Sequence, residues 1–253
     1  MLLPLISTTL YLSINYILSR YKNTFNYLYQ NNKTYKHCIK SFAIIHNLAL
    51  CIFSFYTFYN LFLLLKTNNL LIDKSYGETI ELNDNNSDKT DQILNICWLF
   101  TYSKIWEFFD TWILQLMGKE TILLQKFHHF GAVWCWYYVC LTNSSTMIIA
   151  TYYNSIVHTI MYFYYMMTIL SSNLKFKIPS LIKPIITTLQ LIQLNYGNYY
   201  VIRYYLCKHL ITNITHPAIV SSTIFIIYVY VLVIMFLNFY YKNYIKLRPK
   251  INT

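Results

Sequence analysis

Seven runs of mostly apolar residues, about 2–19, 41–65, 93–117, 121–141, 147–170, 181–203 and 218–241, constrain this chain more than any other feature. A bilayer-crossing helix needs roughly 20 such residues. The spacing therefore predicts an all-α, polytopic membrane protein with about seven transmembrane helices. Only 11% of the 253 residues are charged, well below the quarter or so usual in soluble domains. A cleaved signal peptide is the alternative for the first run. Against it, no basic segment precedes the run and no small-residue cleavage site follows Ile17. No Pro/Gly linker or internal repeat divides the sequence, so residues 1–253 read as a single integral-membrane domain.

The connections set the orientation. Arg20, Lys22, Lys33, Lys36 and Lys40 separate the first two runs without an acid, and the next connection carries Asp73, Glu78, Glu81, Asp84, Asp88 and Asp91. Lys175, Lys177 and Lys183 follow the fifth run; Lys242, Lys246, Arg248 and Lys250 follow the seventh. Basic segments on alternate sides follow the positive-inside rule and place the N-terminus in the lumen and the C-terminus in the cytosol. The net charge of +11 thus reflects topology and anionic ligands, and no nucleic-acid partner is expected. Sequons at Asn85, Asn143 and Asn213 fall on the lumenal side.

Residues 98–165 hold most of the polar chemistry, and charges inside apolar helices demand a reason. Lys104, Glu107, Asp110 and Thr111 share an arc of roughly 120° on one helix face. They read as an ion-pair cluster joining helices, or as part of a site. Gln125 lies one turn from His128 and His129. Asn154, His158, Met161, Tyr162 and Tyr165 recur at helical spacing and form one stripe. Thr187, Gln190 and Gln193 form another, which interhelical amide bonding alone would also explain. Together the four stripes predict a polar chamber open to the cytosol, with only three of the seven histidines inside it.

These residues resemble the motifs of the fatty-acid elongase (ELO) family of very-long-chain 3-ketoacyl-CoA synthases. K-x-x-E-x-x-D-T is matched by Lys104, Glu107, Asp110 and Thr111. H-x-x-M-Y-x-Y-Y is matched by His158, Met161, Tyr162, Tyr164 and Tyr165, with the family's preceding Asn at Asn154. T-x-x-Q-x-x-Q is matched by Thr187, Gln190 and Gln193. The histidine box H-x-x-H-H departs at its first position, Gln125, as in a subset of the family. Gln can orient a neighbour but cannot titrate near neutrality.

The resemblance implies elongation of long-chain fatty acids: acyl-CoA condenses with malonyl-CoA to give a 3-ketoacyl-CoA, CO2 and CoA. It implies catalysis by His128, His129 and His158, because imidazole is a competent nucleophile toward a thioester. Substrate contacts are implied for Lys104, Glu107, Asp110, Thr111, Gln125, Asn154, Tyr162, Tyr165, Gln190 and Gln193. Lys119, Lys177 and Lys183 would meet CoA phosphates. No metal or cofactor is implied beyond the two CoA thioesters. The family also implies endoplasmic-reticulum residence, contact with membrane lipids, a homodimer, a ketoacyl-CoA reductase and other elongation-cycle partners, and a lumenal Cys97–Cys207 disulfide. Two other classes compete: a polar-lined transporter or channel, which explains buried charge equally well, and a di-iron desaturase, which needs more histidine ligands than three. A catalytically silent elongase homologue is the third alternative, because of Gln125.

Overall fold

The computed structural model describes residues 2–67, 87–174, 176–209 and 216–246. Among them every regular element is helical: α1 (Leu2–Arg20), α2 (Lys22–Asn31), α3 (Lys33–Thr67), α4 (Ser87–Trp106), α5 (Phe108–Leu116), α6 (Leu123–Leu141), α7 (Thr146–Leu174), α8 (Ile182–His209) and α9 (His216–Tyr240). A π-helical turn, Tyr241–Ile245, continues α9. Among the described residues three stretches are long and apolar enough to cross a membrane by length and composition: Leu2–Arg20, Lys33–Lys66 and Pro217–Ile245. The sequons at Asn85 and Asn213 and the tail 247–253 lie outside the described residues.

Two expected elements differ from their sequence outlines. The run 93–117 is not one rod. It breaks at Glu107, where the Asp110 N–H reaches back only three residues to the Glu107 carbonyl, at 3.1 Å. The basic segment after α1 is itself helical. It forms α2 and the first turns of α3, whose start is capped by Asn32 Oδ1 accepting from the Tyr35 N–H at 3.0 Å.

Neighbouring helices close a circuit, α3–α4–α6–α9–α8–α7 and back to α3. Helix α1 lies outside it against α5 and α6. Tyr11 ties α1 down, stacking on Phe108 with ring centroids 4.3 Å apart and sharing a hydrogen bond with Thr111 at 3.1 Å. Near one end of the circuit Leu61, Phe100, Trp136, Val139, Met147 and Leu232 form a dense core. There the α6–α7 turn is bonded to α9: Thr142 shares a hydrogen bond with Ser221 at 2.6 Å, and Ser144 and Thr146 each share one with Ser222 at 2.7 Å. Asn143 sits inside this turn at φ 47°.

The α5–α6 connection presses against α2. Gly118 has φ +72°, and a Cβ there would lie 2.5 Å from the Asn26 Cα. Lys22 of α2 also donates to Glu120 in this connection, which holds the Glu120 carboxyl below its ordinary pKa. Gly118→Ala is expected to destabilise the protein by about 1–3 kcal/mol from the left-handed backbone alone, read as a lower melting temperature in detergent. An unchanged melting temperature would refute the close approach.

Candidate active site

The break at Glu107 sets the site. Lys104, in the last turn of α4, donates to Glu107 Oε1 at 2.8 Å and across to Asn154 Oδ1 of α7 at 2.8 Å. Its ammonium lies 4.0 Å from the Phe100 ring centroid and 5.0 Å from that of Trp136. The Lys104 side chain is 0% exposed and that of Glu107 4%. Such a pair is stable only when every remaining donor and acceptor is met. The Glu107 carboxylate oxygen, the Asn154 amide oxygen and two ring faces do this for the lysine.

Two histidines converge on the same carboxylate. His158 Nδ1 of α7 lies 3.4 Å from Glu107 Oε1, too long and poorly aligned for a full hydrogen bond. One donor atom each from Glu107, His128 and His158 lie within 4.8 Å of one another. That grouping could hold a metal ion, but the Lys104 ammonium already supplies a cation to the carboxylate.

The first histidine of the α6 pair, His128, is oriented from α9. Tyr228 donates its hydroxyl proton to the His128 carbonyl at 2.8 Å, and its oxygen stands 3.2 Å from His128 Nδ1. With that proton committed, the phenol oxygen accepts from Nδ1–H, leaving His128 Nε2 unprotonated. The approach is close: a Cβ on Gly131 would fall 2.3 Å from the Tyr228 ring. His129 is buried and lies parallel to the Tyr11 ring, with centroids 6.3 Å apart.

Asp110 serves a different set. It accepts from Tyr162 at 2.8 Å and pairs with His46 Nε2 at 2.7 Å. The sequence expectation of three histidines in the polar region is therefore corrected to four. His46 could have been found as the histidine buried within an apolar run. Tyr228 carried no signal, being one of 27 tyrosines.

A cavity of about 430 Å³ adjoins these groups. Glu107, Asp110, Gln125, His128, His129, His158, Tyr162, Tyr165 and Gln190 line it, as do Lys119 and Lys183. Gln190 Nε2 donates to Met161 Sδ at 3.3 Å. Four expected site residues are absent from the lining. Lys104 and Asn154 form the buried pair behind Glu107, and Thr111 anchors α1. Gln193 lines a separate void of about 20 Å³ beside Trp136. Lys177 is exposed and outside the lining. Cys97 is a buried free thiol, and the side chain of Cys207, its expected partner, lies outside the described residues.

Lys104→Met would leave Glu107 as an uncompensated buried charge, and breaking such a pair costs about 3–5 kcal/mol. Lys104→Met combined with Glu107→Gln should recover more than half of that loss. Unfolding midpoints in detergent test this, and additive losses would contradict a direct pairing.

The pattern of the GNS1/SUR4 (ELO) family matches residues 1–252. The chain is 30% identical over 222 residues to fatty acid elongase sre1 of Dictyostelium discoideum, covering 81% of this chain and 73% of that protein. It is 29% identical over 217 residues to very long chain fatty acid elongase 1 of Mus musculus, covering 82% and 72%. Against fatty acid elongase 2 of Trypanosoma brucei brucei, identity is 38% over 101 residues, covering 40% and 36%. No solved structure matches the chain significantly. With its long apolar helices, buried polar groups and family-wide sequence match, this chain is an integral membrane protein of the ELO (GNS1/SUR4) fatty acid elongase family.

Proposed function

We propose that this chain is a very-long-chain 3-oxoacyl-CoA synthase, condensing a long-chain acyl-CoA with malonyl-CoA. The observation that carries this reading is the convergence of His128 and His158, from two helices, on Glu107 at a cavity wall. A thioester needs a nucleophile that also leaves well, and imidazole meets both demands.

In the proposed sequence an imidazole Nε2 attacks the thioester carbonyl and the C–S bond breaks. CoA leaves as thiolate and takes a proton from solvent at the open side of the cavity, while the neutral His129 ring serves as a hydrogen-bonding group for the developing negative charge. The ring keeps its Nδ1 proton, which on His158 faces Glu107, so the negative carboxylate offsets the acyl-imidazolium charge. Malonyl-CoA then loses CO2. The resulting carbanion forms the new C–C bond as the C–N bond breaks, releasing neutral imidazole and a 3-ketoacyl-CoA two carbons longer.

Positions supporting substrate contacts are Gln125, Tyr162, Tyr165 and Gln190, with Lys119 and Lys183 suited to CoA phosphates. Lys104, Asn154 and Thr111 act behind the wall, and Asp110 through Tyr162. In the reading we favour, α1, α3, the α4–α5 pair, α6, α7, α8 and α9 make seven crossings around a chamber open to the cytosol. The N-terminus is then lumenal, in the endoplasmic reticulum. A homodimer working beside a ketoacyl-CoA reductase and the other elongation-cycle enzymes completes the proposal, with no cofactor beyond the two substrates.

Purified protein given acyl-CoA and [2-13C]malonyl-CoA should yield labelled 3-ketoacyl-CoA by mass spectrometry. Its expression in elongase-deficient yeast should lengthen the acyl profile. Well-folded protein that forms no condensation product would overturn the reading. His158→Ala and His128→Ala should each lower turnover by at least about 10²-fold, the low end for loss of an acid–base group. Gln125→His should stay within about tenfold of the parent rate; a larger loss would show that the amide itself is required.

A further inference from the structure

His46 is buried, stands in the cavity wall and has no part in the steps above. It comes from α3, far from the polar stretch in sequence. Its Nε2 lies 2.7 Å from Asp110 Oδ1, and the Tyr162 hydroxyl donates to the other oxygen, Oδ2, at 2.8 Å. A carboxylate only accepts, so the imidazole proton sits on Nε2. The His46 side chain is 1% exposed. The rings of Phe42, Trp106, Phe109 and Tyr162 surround it, with centroids 6.1–6.4 Å away, and Nδ1 has no hydrogen-bond partner among the described residues. One carboxylate thus joins α3, α5 and α7.

We propose that His46 is a positioning residue of the condensing site, acting on the substrate cavity through Asp110 and Tyr162. The inference rests on the condensation reading. His46 and Tyr162 are the two side-chain donors that the structure shows on the Asp110 carboxylate, which borders the cavity and is 15% exposed. The Tyr162 hydroxyl is directed at Asp110 and the residue is fully buried, so this bond fixes where its ring stands in the cavity wall. The Tyr162 ring in turn meets His158 edge-on, with centroids 5.4 Å apart. Loss of the His46 N–H frees Asp110 to rotate, and with it the tyrosine that abuts the nucleophile. Small misplacements of this kind are enough to cost about 10²-fold in rate.

Geometry separates the useful variants. A Gln amide nitrogen reaches roughly where imidazole Nε2 stands, whereas an Asn amide reaches only to Nδ1. His46→Leu and His46→Asn should lower kcat at least tenfold with KM for acyl-CoA within threefold, and His46→Gln should restore kcat to within threefold of the parent. Added to Asp110→Asn, His46→Leu should cost less than threefold further. Melting temperatures of the parent, His46→Leu, Asp110→Asn and the double variant give a readout independent of turnover, and should show the same non-additivity. Equal activity of the Gln and Asn variants, or multiplicative losses with Asp110→Asn, would overturn the role of His46. Absence of condensation by the parent protein would instead overturn the reading beneath it. The melting-temperature cycle would still decide whether His46 and Asp110 act as one unit.

Discussion

The buried Lys104–Glu107 pair is the constraint on which the site depends. Removing both charges from water costs several kcal/mol per ion, and no single helix supplies enough partners to offset this. The offset is spread over the bundle: Glu107 from the helix break, Asn154 from α7, Phe100 from α4 and Trp136 from α6. Each helix must arrive at its place for the pair to be satisfied, which ties the register of α4, α6 and α7 together. The break serves the same end. A continuous helix would keep Glu107 and Asp110 on a single regular face, whereas the tight turn at Glu107 lets the two carboxylates serve different partners. Glu107 takes the lysine and stands near His128 and His158, and Asp110 takes His46 and Tyr162.

This arrangement divides the bundle lengthwise. The cavity is lined from the early part of α3, from α5, the first turns of α6, the second half of α7, the early part of α8 and the end of α9. In an up-and-down bundle these are all the same end. The other end is filled by the core around Phe100, Trp136, Val139 and Leu232. Glu107, His128 and His158 lie where the hollow part meets the packed part. Exposed Lys119 and Lys183 border the hollow part. A hydrophobic wall on one side strengthens each charge interaction at this boundary, while the open side admits a ligand.

Most of this was legible in the sequence because apolar length and intramembrane charge are strong signals. The all-helical class followed from the apolar runs, and the family from the motifs between Lys104 and Gln193. The division of labour did not. Helical periodicity put Lys104, Glu107, Asp110 and Thr111 on one face, yet they serve four different ends: a buried cation, a histidine partner, a carboxylate for α3 and an anchor for α1. Periodicity assumes an unbroken helix, and the turn at Glu107 invalidates that assumption. Gln193 misled for a related reason. It shares a stripe with Gln190, but one turn along α8 already crosses from the hollow half into the packed half.

The same geometry bears on Gln125, the one position that departs from the usual histidine box. A histidine there could serve the following pair by fixing a tautomer or by moving a proton. The first service is already supplied from elsewhere. Tyr228 of α9 bonds both the carbonyl and Nδ1 of His128, and the closeness of Gly131 leaves that ring little room to move. On the other side Glu107 faces His158 Nδ1. The His128 ring is therefore held without any contribution from residue 125. A residue that need only line the cavity and donate or accept a hydrogen bond is adequately a glutamine, so the proposed condensation does not call for a histidine there.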